Sequence, residues 1–415
     1  MSTAVLVLNC GSSSVKFALI DPRSGERHLS GLAERVGTPE ASVVGKIGAT
    51  KIPLDGLTGT DHQGVVGRIL TWVTGWAQEH DVEVAAVGHR MVHGGAAFAE
   101  SVRLDEEALA AVRRCIPLAP LHNPANIAGV EAVTATYPDV PQVGVFDTAF
   151  HQSMPPVAYR YAVPKEWFTQ YGVRRYGFHG TSHLYICEQA ARMLGRPLAD
   201  LRIVTAHLGN GCSLAAVRGG VSMDTSMGLT PLEGVMMGTR SGDLDPGVPA
   251  YIAGRTGADI AAITDDLNKR SGMLGLSGVS NDLREVWDAA DAGDEDAALA
   301  LEVFSYRIAK YVASLIVPLG GMDLLVFAGG IGENDERVRA RVVEHLAFLG
   351  MRLDPAANDA TIRGQAGTIT VAGAPGTPTA VVVPTDEELV IARDAHRLTE
   401  DPTNTRAACA GEARA

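Results

Sequence analysis

The sequence predicts an α/β fold of two domains made by duplication, each a mixed sheet flanked by helices. Three observations carry that expectation. An apolar run, a turn of small polar residues and a second apolar run from Val5 to Asp21 recur in altered form from Ile203 to Val217, with Gly11 aligned to Gly209, Asn9 to His207 and Ser12 to Asn210. Each copy has the pattern of a β-hairpin. Strand-like and helix-like segments alternate along the rest of the chain, as in α/β architectures. The length, 415 residues, exceeds what one core sustains and suits two domains.

In chain order, residues 1–35 read as strands, and Val36 to Gly64, rich in Gly, Thr and Pro, as short strands and loops. Val66, Ile69, Val73 and Trp76 recur at helical spacing, and so do Leu109, Val112 and Ile116. Val82 to Val87 is a short apolar strand that ends at Gly88-His-Arg-Met-Val-His-Gly-Gly95. A further strand, Gln142 to Phe146, delivers Asp147 and Thr148 at its end. The second half repeats this order from about residue 151: the hairpin at 203–217, helices, and a strand Leu324 to Ala328. The longest helix runs from Asp294 to Val317 with Leu301, Phe304, Ile308 and Leu315 on one face, and Pro318 is expected to stop it. Ala328 to Asn334 reads as a glycine-rich turn before a helix start at Asp335. Thr385 to Glu388 fits a capping box, Thr385 as N-cap and Glu388 reaching back from the third position. The tail 401–415 lacks periodicity and is expected to be frayed.

Composition narrows the function. Apolar residues make up 46% and charged residues 20%, as in globular proteins, and no apolar run reaches the length that crosses a bilayer. The N-terminal residues lack a basic n-region, so no signal peptide is expected. Five scattered cysteines without a CxxC pair argue for a reducing cytoplasm and against a disulfide or zinc framework. A net charge of −13 disfavours nucleic acid, and an anionic substrate must be held by local Arg, Lys and metal.

The hairpin turns are dense in N–H groups and hydroxyls suited to phosphate oxygens, and their pairing suggests two grips on one polyphosphate. Glycines in the segment after Leu324 to Ala328 allow a flat base close to the backbone. Two further segments, Gly177-Phe-His-Gly-Thr-Ser-His183 and Asp224 to Pro246, are dense in Gly, Thr, Arg and His and would make poor core.

Together, Asn9-Cys-Gly-Ser-Ser-Ser, Gly88 to Gly95, Phe146-Asp-Thr-Ala-Phe-His, the Gly177 and Asp224 segments and Gly330-Ile-Gly-Glu-Asn resemble the acetate kinase family, in its order and spacing, from residue 5 to about 395. The resemblance implies two ribonuclease-H-like, actin-like domains with nucleotide in the cleft: 1–150 completed by a helix at about 386–400, and 151–385. It also implies reversible transfer from ATP to acetate giving acetyl phosphate and ADP, with Mg²⁺ (Mn²⁺ substituting), in a cytoplasmic homodimer. A cleft that closes on nucleotide, hinged near 147–152 and 380–386, is a further expectation.

Residue by residue, the resemblance assigns Arg90 to the carboxylate and Arg240 to the transition state, and planar guanidinium forks suit both oxyanions. His179 donates to the phosphoryl group in flight. Acetate arrives already ionised, so Asp147 is not needed as a base and is assigned to the metal with Asn9 and Glu387. The family usually has Asn at Asp386. Lys16, Ser12 and Ser14 face phosphate, and Val92, Leu121, Phe178 and Pro231 wall the methyl group. The nucleotide falls to His207, Leu208, Gly209, Asn210 and Gly211, to Asp282, Leu283 and Arg284, and to Gly330, Ile331, Gly332, Glu333 and Asn334. A propionate or butyrate kinase, or an actin- or chaperone-type ATPase switch, is the alternative; the switch would not need Arg90, Arg240 and His179 facing its γ-phosphate. A pyridine-nucleotide enzyme lacks the acidic residue expected about 20 positions on.

Overall fold

The computed structural model describes residues 2–57, 59–120 and 122–401. These divide into two compact units: the described residues of Met1–Gln152 with Asp386–Ala415, and Ser153–Thr385. The tail beyond Asp401 lies outside the described residues.

The first unit holds one sheet of eight strands: β1 (Ser2–Cys10), β2 (Ser14–Ile20), β3 (Arg27–Glu34), β4 (Ser42–Ile47), β5 (Thr50–Pro53), β6 (Val82–Met91), β7 (Val102–Arg103) and β8 (Gln142–Phe146). Their order is β5-β4-β3-β2-β1-β6-β8-β7. Successive strands β1 to β5 pair antiparallel, whereas β6 and β8 are parallel to β1. Parallel pairing needs a crossover, and the helix His62–Glu79, capped by Asp61, supplies the one before β6. In β1, Ala4 to Leu8 is apolar without alternation because both faces are covered. Leu6 and Leu8 pack with Phe17, Val66, Ile69 and Leu70 on one side. Val5 and Val7 pack with Ile20, Val143 and Val145 and with Leu389, Ile391 and Ala395 of the helix Glu387–Glu400 on the other.

The second unit repeats the plan. Its strands are β9 (Arg202–Leu208), β10 (Cys212–Arg218), β11 (Val221–Thr225), β12 (Leu324–Ala328), β13 (Gly367–Thr368) and β14 (Thr379–Val382), in the order β11-β10-β9-β12-β14-β13. Here too a three-stranded antiparallel meander is followed by two strands parallel to its first member, then a short antiparallel edge. The helix Glu295–Leu319 packs across β9, β10 and β11.

Four details depart from the sequence reading. Strand β6 runs on through Gly88-His-Arg-Met91, since ladder bonds are made by backbone and do not require apolar side chains; Arg90 therefore sits on a strand, opposite Val145. Pro318 lies inside the last turn of its helix, which ends at Gly320 in the left-handed region (φ 68°). Gly329 to Asn334 forms a short helix and is no open turn. The cap at 385–388 is shifted by one: Asp386 accepts from Leu389 N at 3.0 Å, and Glu388 turns to Arg27 at 3.2 Å. Asp386 itself lies 2.5 Å from Arg27 Nη2, so an acidic cap has a cation at hand.

Candidate functional site

In the first unit the site residues stand at the C-terminal ends of β1, β6 and β8. Asn9 and Lys16 are cross-strand partners flanking the turn Gly11 to Ser13, with Ser12 and Lys16 exposed and Ser14 half-buried. The Gly11 N–H closes that turn on Ser14 O at 2.8 Å, and the Gly209 N–H does the same on Gly211 O at 3.1 Å. These two donors are therefore used internally, contrary to the expectation that they point outward. Buried Asn126 ties the end of β1 to the start of the next loop, donating to Cys10 O at 2.7 Å and accepting from Val92 N at 3.0 Å.

Arg90 donates to both oxygens of Asp147, Nε to Oδ1 at 2.9 Å and Nη2 to Oδ2 at 2.7 Å, and its Nε lies 3.8 Å from Glu387 Oε2. Burial opposes the Arg90 charge, but Asp147 and Glu387 outweigh it and hold the guanidinium above its ordinary pKa. Asp147 is 2% exposed. Asp147 and Glu387 are thus gathered around the Arg90 cation.

The second unit gathers His179 and Arg240 about Gly211. A methyl group on Gly211 would stand 3.3 Å from Arg240 Nη1 and 3.7 Å from His179 Cε1. Arg240 donates to Pro231 O at 3.3 Å, and no carboxylate among the described residues pairs with it. Burial pushes its pKa down. A half-buried guanidinium without a counter-ion is costly, and an incoming anion relieves that cost. His179 sits at φ +56°, a left-handed conformation rare for a side-chain-bearing residue, ahead of the helix Gly180–Met193. Its Nδ1 hydrogen-bonds Ser213 Oγ at 2.9 Å, and its ring lies 4.4 Å from that of His207.

Gly209 and Asn210, the two residues before Gly211, line a pocket of about 570 Å³. Asp282, Leu283, Arg284, Gly330, Ile331 and Asn334 line it too, as do Asn281, Trp287, Asp335 and Arg337. That volume is ordinary for a small-molecule site. Gly329, at φ +77°, lets the short helix approach β9: a side chain there would meet Leu208 O at 2.7 Å. Glu333 is turned inward, accepting from Gly329 N at 2.9 Å and Thr385 N at 3.0 Å, and is not among the lining residues.

The sequence reading missed Asn281, Trp287 and the network that fixes the Arg240 loop. Trp287 follows Leu283 by one helical turn, and that spacing was the available signal. In the network, Arg175 holds Glu233 at 2.7 Å and Asp224 at 3.2 Å, while Tyr161 donates to Glu233 and Tyr311 to Asp243. Of the apolar wall, Val92 and Phe178 are buried, Pro231 is half-buried, and Leu121 lies outside the described residues. Cys10 and Cys212 flank the site turns with thiols pushed up to about 12 by burial, so neither is a nucleophile.

Residues 4–393 match the acetokinase family. The chain is similar to the acetate kinase of Deinococcus radiodurans, 54% identical over 94% of this chain and 96% of that one. Among solved structures it resembles the Porphyromonas gingivalis acetate kinase (TM-score 0.89, 46% identity, 95% of this chain and 99% of that chain). It also resembles a propionate kinase from Francisella tularensis (TM-score 0.88, 44% identity, the same coverage).

Proposed function

The chain belongs to the acetokinase family and is a phosphotransferase that moves a phosphoryl group between ATP and acetate; on that premise we propose the following roles for its residues. The observation that carries them is the half-buried, acid-free Arg240 beside His179 and next to the Gly209–Asn210 edge of the pocket. The nucleoside occupies the pocket against Trp287 and Leu283. Its terminal phosphate extends along Gly209 to Gly211, where Arg240 and His179 stabilise charge spread over the phosphoryl oxygens. Arg90 keeps Nη1 outside its pair with Asp147, and that edge takes the acetate carboxylate. Transfer is direct and in line, and no general base is required because the acceptor is already anionic.

Asn9, Asp147 and Glu387 would hold Mg²⁺ or Mn²⁺ with hard oxygens; both Asp147 oxygens accept from Arg90, so Asp147 would reach the metal through water. Bound there with nucleotide, the ion would neutralise phosphate charge. The chain acts as a cytoplasmic homodimer; buried free thiols at Cys10, Cys115, Cys187 and Cys212 support a reducing compartment, and exposed Tyr251 and Ile260 offer apolar surface for pairing. No described helix is long and apolar enough to cross a membrane.

Steady-state assays of Arg240→Ala with Mg-ATP and acetate test the reading. Loss of at least about 10²-fold in kcat is expected, the usual cost of removing a charge-stabilising donor. Near-normal turnover sinks the assignment. The same assay with propionate measures the methyl wall, for which one methylene is worth about 1–3 kcal/mol.

A further inference from the structure

We infer that the buried chain Thr205–His183–Ser213 fixes the proton of His179 on Nδ1, so that His179 meets the phosphoryl group only as an imidazolium. The inference rests on the role proposed above for His179.

A hydroxyl has one proton, and Thr205 Oγ donates it to the carbonyl of Ala215, 3.3 Å away, which can only accept. Thr205 Oγ is then left to accept from His183 Nδ1–H at 2.7 Å. His183 is fully buried and, kept neutral with its proton on Nδ1, has a bare Nε2. That nitrogen accepts from Ser213 Oγ–H at 2.7 Å. Ser213, its proton used, offers His179 only lone pairs, so the 2.9 Å contact requires an N–H at His179 Nδ1. Thr205, His183 and Ser213 are all 0% exposed, and no link exchanges freely with solvent.

The consequence falls on Nε2, which a methyl on Gly211 would meet at 3.8 Å, on the side where Arg240 Nη1 lies. In a neutral ring with Nδ1–H, this atom would aim a lone pair at the phosphoryl oxygens. Only a second proton converts it to a donor. Arg240 and the start of the fourteen-residue helix Gly180–Met193 face His179 and oppose that charge before the phosphoryl group binds; the His207 and His183 rings and the Cys212 thiol beside Gly211 are its other titratable neighbours. The phosphoryl group reverses the balance, and a proton from solvent arrives with it. His183, Ser213 and Thr205 are positioning residues, acting through His179.

The test is the pH profile of kcat together with proton uptake. The wild-type enzyme should show an alkaline limb, and binding of Mg-ADP, acetate and a planar phosphoryl mimic at about pH 8 should take up about one proton by calorimetry in buffers of different ionisation heat. In Ser213→Ala the Nδ1 position is no longer pinned, and the neutral ring is able to carry its proton on Nε2. Its kcat falls by up to about 10²-fold through misorientation, yet its alkaline limb flattens. Thr205→Val, which keeps the shape and loses the hydroxyl, should move the limb the same way. Nitrogen-15 spectra of labelled histidines read the Nδ1–H form directly. A Ser213→Ala enzyme that is folded and slower but keeps the wild-type limb overturns the inference, as does absence of proton uptake. Unchanged turnover in His179→Ala instead removes the role on which the inference stands.

Discussion

Asp147→Asn should destabilise the first unit by about 3 kcal/mol, and the number follows from the surroundings of Arg90. Asp147 is 2% exposed and accepts two charge-assisted hydrogen bonds from the guanidinium. Asparagine keeps one acceptor but presents an NH₂ to a cation. Breaking a buried ion pair by removing one partner costs about 3–5 kcal/mol, because the other charge stays behind uncompensated. Here the lower end applies: the Arg90 side chain is 22% exposed, and Glu387 remains 3.8 Å away. For a unit of this size each kcal/mol lowers the midpoint by about 2–4 °C, so the first unit should melt about 6–12 °C earlier. Differential scanning calorimetry reads the shift, and a cycle with Arg90→Met isolates the pair. Asp147→Leu combined with Arg90→Met should recover much of the loss, since a matched apolar pair carries no stranded charge. A midpoint within about 1 °C of wild type in Asp147→Asn, with additive effects in the cycle, refutes the coupling.

Other outcomes follow from single contacts. His89 is buried against Gln142, and burial lowers its pKa from 6.5 to about 4, with the Gln142 bond opposing. Its neutral form stabilises the fold fully above pH 6.5, and that contribution, about 3 kcal/mol, is lost as pH falls towards 4; His89→Gln should remove about one proton from the pH slope of chemical denaturation in that window. Gly238→Ala would place a methyl 1.9 Å from Asn210 Oδ1 and must displace a pocket residue, so KM for ATP should rise about tenfold or more with smaller change in kcat; an unchanged KM contradicts the placement of nucleotide there. Asp386→Ala removes a cap and an ion pair with Arg27, and should lower stability by about 0.5–2 kcal/mol, whereas Glu388→Ala, outside the cap, should cost less; the reverse ranking in urea melts would restore the capping box at Thr385.

Legibility in the sequence followed the range of the interactions involved. The hairpins at 5–21 and 203–217 and the strands Gln142–Phe146 and Leu324–Ala328 were readable because local apolar runs and turn residues decide them. The end of β6 was not, because Gly88 to Met91 is held by backbone ladders to β1 and β8 that leave no periodic trace. The helix start at Glu387 was misread by one residue: Thr385 and Asp386 are both competent caps, and contacts with Glu333 and Arg27 decide between them. Gly209, Asn210, Asp282 and Gly330 were readable as a family pattern, and the fold brings them to one pocket. Trp287 was not, since an aromatic at helical spacing usually marks a core face. The bond from Arg175 to Glu233 spans 58 residues, beyond the reach of any local signal.

The helix Glu387–Glu400 covers a face formed by residues as early as Val5 and as late as Val145. On the ribosome those strands exist long before their cover does. At about 5–20 residues per second, roughly 10–50 s separate the emergence of the last strand of that sheet from that of the helix. By the end of this interval Ser153–Thr385 has every strand and helix it needs, while the first unit still holds Val5, Val7, Ile20, Val143 and Val145 without their partners from the last helix. The part of the chain made first is therefore finished last, and for the length of that delay its bare apolar sheet face is a hazard when translation stalls.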